Sequence, residues 1–390
     1  MDIDVFFQPV KPEQEPTADT LGKVIECYNA ENQFPEITKT TKIALIGVNE
    51  WRGSVLEYTE LNTADQVRKR LYGLFDHFNL AGKVVDLGNI KPGNTYQDTC
   101  YALKNSCEAL LRKGVVPIVI GGSNDLLYPV YNGYEKLELT VNLACVDAGI
   151  DMVMEQQEEE VTNKNYLNKI ILHQPNYLFN YSHLAYQSYY VNPNILELMT
   201  QLNFDAYRLG EIKDDMREVE PVIRDADLLS IDFSSVNNGQ SSAISSGPNG
   251  LDGADICQIA RYGGMSDKLS AFCLFELVAR DKAYHNSAAE LAAQAIWYFF
   301  DGYFNRKGDF PRGTKNDYLK YRVAVKDFEN ELIFFKSSKS DRWWIEVPFP
   351  SDKKNRYKRH KMIPCSYKDY ILATKNEVPD RWLKAYLKLS

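Results

Sequence analysis

The chain has 390 residues, of which 44% are hydrophobic and 25% charged, enough for one large core or two moderate ones and unlike a disordered or fibrous protein. No apolar run approaches the roughly 20 residues that span a bilayer, and the opening MDIDVFFQPVKPEQEP lacks the basic start and apolar core of a signal peptide, so neither a transmembrane nor a secreted chain is expected. The net charge of −8 conceals an asymmetry: residues 306–390 hold 21 Lys and Arg against 11 Asp and Glu, a balance of +10 that leaves −18 for the rest.

Residues 1–41 are Pro- and Glu-rich at the start and read as an irregular arm around the body. From 42 to 305, short β-branched runs alternate with amphipathic stretches. Strands are expected at 42–48, 83–88, 115–122, 139–148, 169–173, 187–191, 205–210, 228–233 and 271–277. Helices are expected at 64–78, 97–113, 193–202, 253–261 and 287–304; Thr63 would cap the first, which places Val67, Leu71 and Leu74 on one face. Several strands are apolar on both faces, as in a mainly parallel sheet covered by helices on each side. The expected fold class is therefore α/β, three-layered, with chemistry beyond the C-terminal strand ends. After 306 the rhythm changes: KYRVAVK, ELIFFK and RWWIEV read as a small strand meander, followed by basic KKNRYKRHK (353–361) and a last helix from about Val378. Seven scattered cysteines (Cys27, Cys100, Cys107, Cys145, Cys257, Cys273, Cys365) form no C-x-x-C pair, which points to ordinary thiols in a reducing, cytoplasmic setting.

Three polar segments fall where strands should end: GGSND (121–125), DAGID (147–151) and SIDFSSVNN (230–238). Together they would crowd Asp147, Asp151 and Asp232 at one sheet edge, where like charges repel unless a cation or basic side chain sits among them. Separate strand caps and turn residues are the other reading of the same spacing.

In order and intervening length these segments resemble the GGDHS, DAHxD and SxDxDxxDP motifs of the arginase, agmatinase and formimidoylglutamase family (the ureohydrolases). SSAISSGPNGL (241–251), FELVARD (275–281) and the opening IGVNEWRG with TADQVRKRL resemble further parts of that fold, over roughly 42–305. Within the family the early and late segments resemble the formimidoylglutamase branch most. The resemblance implies an arginase-like domain over 42–305, with 306–390 as a basic, aromatic extension. It also implies a binuclear manganese site of two imidazoles and four carboxylates, whose bridging hydroxide attacks a linear amidine or guanidine carbon.

Carried over residue by residue, that ligand set is incomplete. Asp147, Asp151 and Asp232 are kept. Asn124 and Gly149 stand at the two histidine positions, Ser234 at the remaining carboxylate, and Asn237 and Asn238 at a later Asp-Pro. Asn124 could offer a carbonyl and Ser234 a hydroxyl, both weak neutral donors, while Asp125 is one residue out of register. Such a set suits no cofactor, or a single Mg²⁺, better than a Mn²⁺ pair. The expectation is a pseudoenzyme kept as an interaction or regulatory module, with hydrolysis of amidines such as N-formimidoyl-glutamate as the alternative and amidine or amino-acid binding as a third.

Two remnants carry over: Glu276 at the amidine-binding glutamate, otherwise a strand-end acid with a local partner, and His173 at a pocket histidine, otherwise structural. His77, His183, His285 and His360 show no ligand spacing, and Glu158–Glu160 reads as a solvated loop. The basic extension can fold back on the acidic body or meet a protein partner or second copy through 306–390. Nucleic acid and an anionic membrane surface are lesser alternatives, since no nucleic-acid motif is present.

Overall fold

The computed structural model describes residues 2–10, 17–56, 62–154, 160–241, 246–278, 282–311, 317–326, 328, 331–348 and 358–389, with side chains in the last long helix described from 287. Glu158, Glu159, His285, residues 242–245, residues 279–281 of FELVARD and residues 353–357 of the basic run therefore lie outside what is described.

The body is built on β1 (Phe7–Gln8), β2 (Glu26–Cys27), β3 (Ile43–Gly47), β4 (Val84–Ile90), β5 (Val116–Ile120), β6 (Val141–Val146), β7 (Leu178–Tyr186), β8 (Asp205–Arg208), β9 (Leu228–Asp232) and β10 (Ala271–Phe275). Their order is β1-β4-β3-β5-β10-β9-β6-β7-β8, with β2 beside β4. All pairings are parallel except β1 with β4. Thus the arm at 1–41 is not wholly irregular: it supplies β1, β2 and a short helix, Leu21–Val24.

Burial explains the layering. Along β3, Ile43 and Leu45 face one apolar cluster with Val67, Ile259 and Phe299 of the helices Thr63–Leu71, Gly253–Met265 and Lys282–Phe304. Ala44 and Ile46 face the other, with Leu103, Val130 and Ile195 from helices on the opposite side. A strand buried on both faces needs apolar residues throughout, and each fully buried Ile or Leu contributes about 1.5–3 kcal/mol.

Four local expectations are corrected. KIILH is not a strand; Tyr166–Ile171 is a helix, because an apolar run of this length fits either period and the sheet position is taken by β7. QSYYV is a 3₁₀ turn, Ser188–Tyr190, just past β7, whose mixed LFNYSHLAY was not recognised. Asn62, not Thr63, caps the first long helix, its side chain accepting from the Asp65 amide. That helix ends at Leu71, so Leu74 is not on it.

Beyond the last long helix, β11 (Tyr318–Val323), β12 (Leu332–Ser337), β13 (Trp343–Glu346) and β14 (Met362–Cys365) form a separate antiparallel sheet in that order. The fourth strand and the helix Tyr367–Thr374 extend the expected meander, and the last helix is Asp380–Leu389. Basic side chains of this C-terminal unit dock on the acidic body. Arg359 pairs with Asp227, Lys384 with Asp205 (2.9 Å), Lys368 with Asp215 (2.8 Å) and Arg381 with Glu218 (3.5 Å).

His360 closes this seam, buried, stacked on Phe179 at 3.7 Å and bonded to Thr140 Oγ1 at 2.7 Å. Burial, reinforced by Lys268, Arg359 and Lys388, holds its imidazole well below the ordinary 6.5. The unfolded chain therefore takes the proton first, so this contribution is complete above about pH 7 and is lost as pH falls through the unfolded value. In thermal unfolding from pH 8 down to about 5.5, the wild type is expected to lose stability more steeply than His360→Gln. Parallel curves would contradict this.

Candidate functional site

The four central neighbours β5, β10, β9 and β6 all end at one edge, where β6 lies three strands from its predecessor β5. Such a break in strand order opens a crevice beyond the carboxyl ends. GGSND, Glu276, the Asp232 segment and DAGID all arrive there. His173 does not: it follows the helix Tyr166–Ile171, contacts Tyr128, Tyr131 and Tyr177, and so sits by the start of β7, at the opposite sheet edge.

Local chemistry fixes each turn. After β5 the chain reverses through Gly121 (φ 90°) and Gly122 (φ 79°). A Cβ on Gly122 would lie 3.0 Å from the Glu50 carbonyl oxygen and 3.2 Å from that of Val48. Both glycines are thus required, by conformation and by close approach. Asp147 turns the chain after β6 by accepting the Gly149 amide (3.2 Å), and Asp232 does the same after β9 with the Ser234 amide (2.7 Å).

Asp147, Asp151 and Asp232 are 4%, 5% and 4% exposed, and one carboxylate oxygen from each lies within 4.8 Å of the others. The structure thus brings together the three acids read from the motifs. At the three substituted positions the chemistry is that of donors and space. Ser234 Oγ donates to Asp147 Oδ1 at 2.6 Å. The Asn124 amide Nδ2 donates to Asp151 Oδ2 (3.3 Å) and meets the Tyr166 hydroxyl (3.2 Å), so its contact with the acids is through nitrogen and not the expected carbonyl. Among the described residues, nothing lies within 4 Å of where a Cβ on Gly149 would stand. Asn124 Oδ1 and Asp147 Oδ2 are buried and have no hydrogen-bond partner among the described residues.

Asp125, which looked out of register, is fully buried, held by the Ser123 hydroxyl and by Tyr96 (2.5 Å), and burial pushes its carboxyl up to about 7. Glu276 adopts a left-handed conformation (φ 57°) directly after β10. Its Oε1 accepts the Asn124 amide at 3.1 Å and Asn163 Nδ2 at 3.0 Å, the local partners of a strand-end acid.

One participant was missed. Lys164 places its Nζ 2.8 Å from Asp151 Oδ1. It comes from VTNKNYL, between the acidic run and a helix, with no motif to flag it; only the demand of clustered acids for a cation predicted that some basic group would be needed. Burial raises the carboxyl groups of Asp151 and Asp232, and the Asp147 charge raises both further, while Lys164 pulls Asp151 back down. Partial desolvation where it meets the acids opposes the Lys164 charge, although most of the side chain faces solvent, and Asp151, Asp147 and Asp232 overcome it and keep the ammonium charged. Among the described residues no imidazole donates into the cluster. His183, buried and held near 4 chiefly by burial, bonds the Asp147 carbonyl (3.1 Å) and the Tyr181 hydroxyl (2.7 Å).

Comparison with known proteins agrees with this architecture. The family model described as the arginase family matches residues 43–301. A mitochondrial guanidino acid hydrolase of Mus musculus is 30% identical over 84 residues, which is 21% of this chain and 23% of the hydrolase. An uncharacterised 32.2 kDa protein of Methanothermus fervidus is 25% identical over 100 residues, 25% of this chain and 34% of that one, so the chain matches about a third or less of these relatives. In fold, the formiminoglutamase of Trypanosoma cruzi, solved with Mn²⁺, matches with a TM-score of 0.61 at 16% identity, over 70% of this chain and 97% of the other. The formimidoylglutamase of Bacillus subtilis matches with a TM-score of 0.64 at 16% identity, over 77% and 97%.

Proposed function

This chain belongs to the arginase family, and from that premise we propose that it is a non-hydrolytic member whose manganese centre has become a lysine–carboxylate cluster. The single observation that carries this reading is the Ser234 hydroxyl on Asp147 Oδ1 at 2.6 Å. At the position of one ligand carboxylate the chain has instead a donor that occupies Asp147.

The donors present do not fit a pair of Mn²⁺ ions. Each ion needs several oxygen or nitrogen acceptors, charged where possible. Here Gly149 offers none, Asn124 turns nitrogen toward Asp151, and Ser234 is spent on Asp147. No hydrolytic step follows from such a set. A retained fold with half of the ligand set lost fits an interaction or regulatory role. The C-terminal unit, with Leu319, Tyr367 and Leu383 at 56%, 57% and 41% exposure, offers a surface for a protein partner or a second copy. Seven free cysteines, most of them buried, accord with a cytoplasmic, reducing setting; among the described residues no helix is long and apolar enough to cross a membrane.

Chain purified from Mn²⁺-supplemented cells is expected to carry no stoichiometric metal and to release no urea, ammonia or formamide from guanidino and formimidoyl compounds. Two manganese ions per chain with product release would refute the proposal.

A second reading, a single hard cation such as Mg²⁺, is favoured by the unpartnered Asp147 Oδ2 and Asn124 Oδ1 beside Asp151 and Asp232. It predicts that the wild-type chain is stabilised by Mg²⁺ alone. The amidine-binding alternative draws less support, because both hydrogen bonds to Glu276 Oε1 come from within the chain.

A further inference from the structure

Buried carboxylates this close need a compensating charge, and a cluster left without one is destabilising. Three aspartates meet here within 4.8 Å, and Glu276 is joined to them through Asn124. Among the described residues, the ammonium bonded to this group is that of Lys164.

Its position follows from more than a long side chain happening to reach. The turn at 162–165 is pinned on both sides of the lysine. The Thr162 amide donates to Asn165 Oδ1 at 2.8 Å, and the Asn163 amide donates to the Gly53 carbonyl at 2.9 Å. Asn163 Oδ1 accepts the Val55 amide at 3.1 Å, while its Nδ2 donates to Glu276 at 3.0 Å. Asn163 and Asn165 are 6% and 5% exposed, so the two neighbours are anchors and Lys164 between them is aimed at Asp151. The Lys164 side chain is 58% exposed, so it enters from the solvent side and can be removed without opening the core.

We infer that Lys164 is the resident cation of this cluster, its ammonium supplying the positive charge that a metal ion would otherwise supply and keeping divalent ions out. The inference rests on the proposed loss of the manganese pair and deepens it. Loss of the donors alone would leave three acids without a counter-ion, whereas the lysine lets them persist.

Thermal unfolding with and without millimolar Mn²⁺ or Mg²⁺ tests this through a readout independent of activity. Wild type and Lys164→Arg should unfold at temperatures indifferent to either ion. Lys164→Met, similar in size but neutral, should unfold at a lower temperature and regain most of the loss on adding either ion. A wild-type shift as large as that of Lys164→Met, or a Lys164→Met chain that ignores both ions, overturns the inference. Should Lys164→Met fail to fold, calorimetric titration of the wild type decides: absence of Mn²⁺ and Mg²⁺ binding supports the lysine, and one-to-one binding overturns it. The two ideas fail separately. Two manganese ions in the purified wild type defeat the non-hydrolytic reading, whereas a metal-free wild type with an unresponsive Lys164→Met defeats only this one.

Discussion

Asn124→His, Gly149→His and Ser234→Asp, combined with Lys164→Met, are expected to take the chain from no bound manganese to two ions. Each change uses something already present. Among the described residues nothing lies within 4 Å of a Cβ on Gly149, and its φ is not in the left-handed region, so a side chain can start there without a Cβ clash or backbone strain. Ser234 lies 2.6 Å from Asp147, so an aspartate there brings its carboxylate beside the first. Asn124 already faces Asp151. Without metal the variant gains a half-buried acid beside Asp147 and loses the lysine, so its apo form should unfold below wild type. With metal at about 100 times the dissociation constant, linkage returns about 2.7 kcal/mol per site. Elemental analysis and Mn²⁺-dependent unfolding measure both effects; a variant that stays metal-free under excess Mn²⁺ would show that more than the ligands has been lost.

Why these positions were readable while Lys164 was not is a matter of what each residue type must do locally. Asp147, Asp151 and Asp232 sit in motifs whose neighbours are dictated by the fold: two glycines that must reverse the chain after β5, and Asx turns that must end β6 and β9. Such constraints leave a mark at fixed spacing. Lys164 is placed chiefly by its neighbour Asn163, whose side chain reaches Val55 and Glu276, both far away in sequence. No local period encodes that, so the charge requirement could be stated but not its source. The same limit explains the misread helix Tyr166–Ile171 and the missed β7. KIILH is too short to separate two periods, and LFNYSHLAY mixes polar side chains that only the sheet satisfies, such as His183 on the Asp147 carbonyl. The basic extension was legible as charge but not as geometry. Its cations could equally have met an outside partner, and the pairs with Asp205, Asp215, Glu218 and Asp227 appear only once the two sheets are docked.

That docking turns on Arg224, and Arg224→Ala is expected to cost about 3–5 kcal/mol, as breaking a buried charged contact does. Arg224 belongs to the body, in the helix Val219–Asp225, and its side chain is 3% exposed. It pairs with Glu220 at 2.8 Å and stacks at 4.3 Å on the Trp344 ring of the extension. Its Nη2 donates to the Trp343 carbonyl at 3.1 Å and the Cys365 carbonyl at 3.3 Å, residues that face each other across β13 and β14. Alanine removes the cation over the ring and leaves two buried carbonyls without this donor. The conservative change Arg224→Lys should not restore the seam, since a single ammonium cannot stack on the ring and reach both carbonyls as a planar guanidinium does. Arg359→Ala is the control, because the 26% exposed Arg359 lies at the rim and Asp227 retains Lys268 at 4.0 Å. Denaturant unfolding should show the larger loss for Arg224→Ala, and hydrogen exchange should place the added opening in β13 and β14. Equal losses for the two variants would mean that the seam is held by distributed charge pairs and not by this one buried guanidinium.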